Sequence, residues 1–148
     1  MNKKFAWTLF TLLLVAFSCS DSYEGETLVF NKYLGDTFGL EITDRNHTYL
    51  IESTFQCAGC VDKTYLSILN HAKSNHKHSI TIITFDNGKV SEQLKTKLSV
   101  LVDEDAKYES LGIPFGNITI IETQAKRIKS IRSIQLPEID STIQSLFQ

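Results

Sequence analysis

Thr48-Tyr49-Leu50-Ile51-Glu52-Ser53-Thr54-Phe55-Gln56-Cys57-Ala58-Gly59-Cys60-Val61 is the stretch on which the reading of this chain turns. It opens as a β-branched and apolar strand. Beyond Cys60, Val61, Tyr65, Ile68, Leu69 and Ala72 recur near i, i+4, i+7, i+8 and i+11, which is one face of a helix. Cys57 and Cys60 therefore fall at a strand-to-helix junction. A bridge between cysteines so close in sequence closes little chain and removes little unfolded-state entropy. The pair thus points to redox or metal chemistry more than to stapling.

Toward the C-terminus, Ser79-Ile80-Thr81-Ile82-Ile83-Thr84-Phe85 has the β-branched, mostly apolar character of a strand covered on both faces, and Asp86-Asn87-Gly88 ends it. Val90, Leu94, Leu98 and Leu101 repeat at near-helical spacing, with Val100-Leu101-Val102 reading as extended before Asp103-Glu104-Asp105. A short helix from Ala106 to Leu111 leads to Gly112-Ile113-Pro114. The strand Ile118-Thr119-Ile120-Ile121 follows, then a turn at Thr123-Gln124-Ala125, with Lys126 to Ile134 returning as a hairpin partner. Pro137 suits a first helical position, Glu138 and Asp140 complement a helix N-terminus, and Ile139, Ile143, Leu146 and Phe147 form its apolar face.

Toward the N-terminus, composition predicts short strands at Thr27 to Phe30, Phe38 to Ile42 and Thr48 to Ile51. Breaks fall at Gly35-Asp36 and Asp44-Arg45-Asn46. Strands alternating with helices, then a hairpin and a last helix, describe one α/β domain over residues 27–148, a three-layer sandwich around a central mixed β-sheet.

The first eighteen residues are of a different kind. Met1-Asn2-Lys3-Lys4 is cationic and Phe5 to Phe17 almost unbroken apolar. A run of about 13 residues is too short to span a hydrocarbon core but has the length of a signal-peptide h-region. Ala16-Phe17-Ser18-Cys19-Ser20 resembles a bacterial lipobox, with Ala16 departing from the usual leucine. That resemblance implies a lipoprotein signal peptide over residues 1–18 and lipidation of Cys19. The alternative is an ordinary cleaved signal peptide. Residues 19–26 then form an acidic tether, similar to the segment that follows the lipidated cysteine in surface-directed lipoproteins of the Bacteroidetes group.

The expected location is the cell envelope, with the domain anchored to a bacterial membrane and facing periplasm or exterior. Lipidating Cys19 also leaves one cysteine pair rather than an odd count of three, which suits an exported protein. Without Lys3 and Lys4 the chain keeps 13 basic against 17 acidic residues, a formal charge of −4, with no electrostatic footprint for nucleic acid.

The order of elements from Thr48 to Phe147 resembles the thioredoxin fold. More narrowly, it resembles the envelope thiol-disulfide oxidoreductases, in which an Asp-rich segment such as Val102-Asp103-Glu104-Asp105 precedes a Tyr-x-x-x-Gly-Ile-Pro stretch like Tyr108 to Pro114. The resemblance implies redox exchange with protein thiols and disulfides, a further redox partner, and no bound cofactor. Cys57 would be the attacking sulfur, favoured as thiolate at a helix N-terminus, and Cys60 the resolving thiol. It also implies a cis-proline beside the sulfurs that presents backbone to substrate. Pro114, with Ile113 before it, matches that place, while an alternative alignment puts Asn117 there and leaves Pro114 in a loop. Glu52 on the incoming strand is the candidate proton relay to Cys60. Gln56 and Gly59 depart from the aromatic and the proline common around the family's pair, which bears on potential and substrate preference.

Two other readings use the same residues. Cys57, Cys60, His71 and His76 imitate a zinc finger, but an unbroken helix separates Cys60 from His71 by about 16 Å, too far for one tetrahedral site. His71, His76 and His78 suit a polar helix end and its loop. Cys57-Ala58-Gly59-Cys60-Val61 also resembles the copper loop of the heavy-metal-associated fold, where two thiolates suit Cu(I) or Zn. That fold would leave Leu111 to Gln148 unexplained. A thioredoxin-like lipoprotein kept for binding rather than catalysis is the remaining alternative.

Overall fold

The structure is a computed structural model that describes residues 23–55, 57–72 and 79–148. The leader, Cys19, Gln56, His76 and His78 lie outside the described residues. Five strands form one sheet: β1 His47–Glu52, β2 Ile80–Thr84, β3 Ser99–Val102, β4 Ile118–Gln124 and β5 Arg127–Ser133. Helix α1 spans Glu24–Phe38, α2 Ala58–His71, α3 Glu92–Lys97 and α4 Ile139–Leu146. The sheet order is β3-β2-β1-β4-β5. The first three are mutually parallel, while β4 runs antiparallel to both β1 and β5. This is a mixed α/β sandwich compatible with a thioredoxin-like fold.

Topology explains the layering. The crossovers β1-α2-β2 and β2-α3-β3 step the same way across the sheet, and the right-handed rule puts both helices on one face. Val61, Tyr65 and Ile68 of α2, Leu94 of α3 and Ile139 and Ile143 of α4 share one core with Leu50, Ile80, Ile82, Ile118 and Ile120. The opposite face, with Tyr49, Ile51, Ile83 and Ile121, is covered by Phe30, Tyr33 and Leu34 of α1 and by Tyr108 and Ile113. Successive residues of the central strand thus feed different cores, as the pleat requires, and both faces are dry.

The N-terminal region corrects the sequence expectation. Thr27 to Phe30 is not a strand but part of α1, whose first turn carries Glu24 and Glu26, so the helix also takes in the end of the expected tether. Phe30, Tyr33 and Leu34 are buried at i, i+3 and i+4, whereas Leu28 and Val29 face outward. The helix runs through Gly35-Asp36 and stops at Gly39, whose φ of 67° lets its N–H reach Gly35 O and the N–H of Leu40 reach Leu34 O. Phe38 to Ile42 is therefore a helix end and coil, with Ile42 N–H donating to Asn31 Oδ1 at 2.8 Å.

The C-terminal half follows expectation more closely. Val100 to Val102 is extended, the segment Lys107–Leu111 is a 3-10 turn, and β4 and β5 make the hairpin. Ala125 and Lys126 turn it in the left-handed region.

Candidate active site

The pair sits at the C-terminal end of β1, where the chain crosses one way to β2 while β4 lies on the other side. Cys57 is the N-cap of α2 in an extended conformation, and its carbonyl accepts from Cys60 N–H at 2.9 Å. The two cysteines are present as thiols, Cys57 exposed and Cys60 only 4% exposed. One presents its sulfur to solvent while the other is held one turn behind it.

Their acidities are pushed apart. A hydrogen bond from the Cys60 thiol, with others from the backbone N–H groups of Cys60 and Gly59, holds the Cys57 thiol below its ordinary range. The same hydrogen bond with Cys57, together with burial and the neighbouring charge, pushes Cys60 up. The group that titrates first is the group that solvent reaches.

Two clamps from distant segments hold the loop that enters the helix. Glu109, in the 3-10 turn, accepts from Thr54 N–H at 2.9 Å, from the Thr54 hydroxyl and from Ser53 Oγ at 3.4 Å. The hydroxyl and N–H of Thr54 hold the Glu109 carboxyl below the usual carboxylate range. Asn117, immediately before β4, accepts from Ser53 N–H through its carbonyl and from Cys57 N–H through Oδ1, both at 3.2 Å. Phe55 lies between the clamps, 89% exposed.

Glu52 is 1% exposed. Its Oε2 accepts from Tyr65 on α2 at 2.7 Å and Thr84 on β2 at 2.6 Å, and Oε1 is 3.7 Å from Lys89 Nζ. The side chain thus points into the layer that holds Cys60. Tyr108 donates to the Glu52 backbone carbonyl, and Asp103 accepts from Tyr33 at 3.0 Å and from Tyr108 N–H at 3.3 Å. Burial is the main reason that the phenols of Tyr33, Tyr65 and Tyr108 are pushed up, so all three stay neutral donors. A polar network so linked runs beneath the cysteine loop from α1 to α2.

Cys57, Cys60 and Glu52 are therefore brought to one end of the sheet. Ile113 turns into the α1 core, Pro114 is exposed, and no peptide bond among the described residues is cis. Asn117 stands beside the pair through its hydrogen bond from Cys57 N–H. Glu109 was not singled out from sequence, and a lone glutamate in a short turn carries no signal that could have found it. His71 ends α2, the full helix length from Cys57.

Among the described residues no group of three His, Cys, Asp or Glu side chains is placed to hold a metal ion, and no helix is long and apolar enough to cross a membrane. Comparisons with protein-family models, with curated proteins and with solved structures return no significant match. The class is thus set by fold and site alone: an α/β sandwich with an exposed thiol at a helix N-terminus and a buried thiol one turn on.

Proposed function

We propose that the protein is a lipid-anchored thiol-disulfide oxidoreductase that exchanges the Cys57–Cys60 dithiol and disulfide with protein substrates in the cell envelope. The observation that carries this reading is the division of the pair, with an exposed Cys57 held below its ordinary acidity and a buried Cys60 held above it. In the reducing direction, the Cys57 thiolate attacks a substrate disulfide, forming a mixed disulfide and releasing one substrate thiolate, which takes up a proton. Cys60 then loses its proton and attacks Cys57 Sγ. The Cys57–Cys60 bond forms, the mixed bond breaks, and two electrons have passed to the substrate.

Glu52, in the same layer as Cys60, is the acceptor proposed for the Cys60 proton. Exposed Phe55 supplies apolar surface beside Cys57 for an extended substrate segment. A partner dithiol restores the pair, and in the oxidising direction each step reverses.

The test is turnover of a protein disulfide with a small dithiol as reductant. Cys57→Ser should abolish it, and Cys60→Ser should accumulate mixed disulfides through Cys57. Full turnover by Cys57→Ser would sink the mechanism.

A further inference from the structure

The strand register gives the molecule two poles. His47, Ile80 and Ser99 begin three parallel strands at one end, and Glu52, Thr84 and Val102 finish them at the other, where Cys57 follows. The strand β4 starts opposite Glu52 and pairs Thr123 with His47, so the β4–β5 turn lies at the far pole. There Ala125 and Lys126 N–H donate to Asp44 and Thr43 carbonyls. Ile128 N–H donates to Thr27 Oγ1, which brings the first turn of α1 to the same pole. The length of α2, 14 residues, separates the poles by about 20 Å.

Covalent reach and charge then orient the domain. Cys19 stands four residues before Tyr23, so a lipid on Cys19 holds the start of α1 within about 14 Å of the bilayer surface. That is shorter than the distance between the poles, and Cys57 cannot be swung down in place of the hairpin. Arg45, Lys126, Arg127 and Lys129 gather at this pole, with Lys97 capping the end of α2 through the carbonyls of Leu69 and Ala72. Glu24, Glu26, Asp44 and Glu122 lie at the same pole, Asp44 3.9 Å from Lys126 Nζ, so the five cations exceed the four acids by one. Leu28, 68% exposed, lines a shallow cavity of about 240 Å³ with Tyr23, Glu24, Lys126 and Arg127. The cysteine pole has the opposite sign, with Asp62, Asp86, Asp103, Glu104, Asp105 and Glu109 around it.

We propose that the pole formed by the start of α1 and the β4–β5 hairpin is a membrane-docking surface that rests on anionic phospholipid headgroups and presents Cys57 away from the bilayer. Cations with interspersed apolar side chains match a headgroup layer, where each basic residue near the surface contributes about 1 kcal/mol. The proposal rests on the lipid anchor of the reading above. It assigns the substrate to proteins that approach from the aqueous side, not to segments buried in the membrane.

The test uses the full lipidated chain in phosphatidylglycerol–phosphatidylethanolamine vesicles containing doxyl-labelled lipid. Trp7, the single tryptophan, lies in the leader that is removed when Cys19 is lipidated, so Leu28→Trp and Phe55→Trp are clean reporters in the lipidated chain, both at exposed positions. Quenching should be several-fold stronger with Leu28→Trp than with Phe55→Trp, and should fall when Lys126→Glu and Arg127→Glu are added or phosphatidylcholine replaces the anionic lipid. Equal quenching of both reporters, or none with Leu28→Trp in protein that still floats with vesicles, would overturn docking while leaving the anchor standing. Failure to float at all would overturn both.

Discussion

At the cysteine end of the sheet the chain leaves regular structure and buries polar groups, whereas at the hairpin end the same strands close in a two-residue turn under exposed cations. Glu52, Asp103, Tyr108, Glu109 and Asn117 meet from four separate segments at the first end. At the second, Ala125 and Lys126 bond only to the adjacent loop. Buried polar groups are worth having only when each finds a partner, and a network of them specifies one geometry. The comparison teaches where this fold has invested in a unique arrangement, and that place surrounds Cys57.

The largest difference should appear in the thiols themselves. At pH 7, iodoacetamide should alkylate Cys57 at least about tenfold faster than Cys60, because only the thiolate reacts. The midpoint for Cys57 should lie below the ordinary ~8.5 of a thiol and that for Cys60 above it. Equal rates would erase the asymmetry.

Next in size, Asp103→Ala strands the buried donors of Tyr33 and Tyr108 and should cost about 2–3 kcal/mol in urea unfolding. Lys129→Ala at the other pole should stay within about 0.5 kcal/mol. Comparable losses at both poles would break the comparison.

Asn117→Ala removes the acceptor of Cys57 N–H and should slow disulfide exchange about tenfold, or about 1.4 kcal/mol of barrier, without a matching loss of stability.

Glu109 sharpens the same point through pH. Its folded value is depressed, so its stabilisation is complete above the unfolded value of ~4.3 and is lost as pH falls through the lower folded value. The Thr54 amide resonance should titrate in that window below ~4.3 and should not in Glu109→Gln.

The smallest effect is expected at the turn. Ala125, at φ 51°, sits where a Cβ is disfavoured, and Ala125→Gly should raise the thermal midpoint by the equivalent of about 0.5–1 kcal/mol.

Legibility follows the same division. The hairpin, the last helix and the strand-Cys-x-x-Cys-helix order were readable because periodicity and turn residues are local signals. The first helix was misread because Thr27-Leu28-Val29-Phe30 has strand composition, yet Leu28 and Val29 face outward while Phe30, Tyr33 and Leu34 carry the burial. Propensity lost there to packing on the sheet. In the site, the two cysteines were legible from spacing, and Glu52 was named from its place on the incoming strand. The hold of Glu109 and Asn117 on the loop was not legible, since their bonds to it cross 55 and 60 residues.

By itself, then, the sequence determined which segments are strand or helix from Thr48 onward, and that Cys57 and Cys60 stand where a strand becomes a helix. Side-chain period and β-branched composition act over a few residues and need no partner to be read. Tertiary structure alone decided that Cys57 faces solvent and Cys60 does not, that Asn117 and Glu109 hold the loop, and that the first helix begins at the pole farthest from the thiols. Each of these depends on strand order and register, which bring together residues that no local pattern connects.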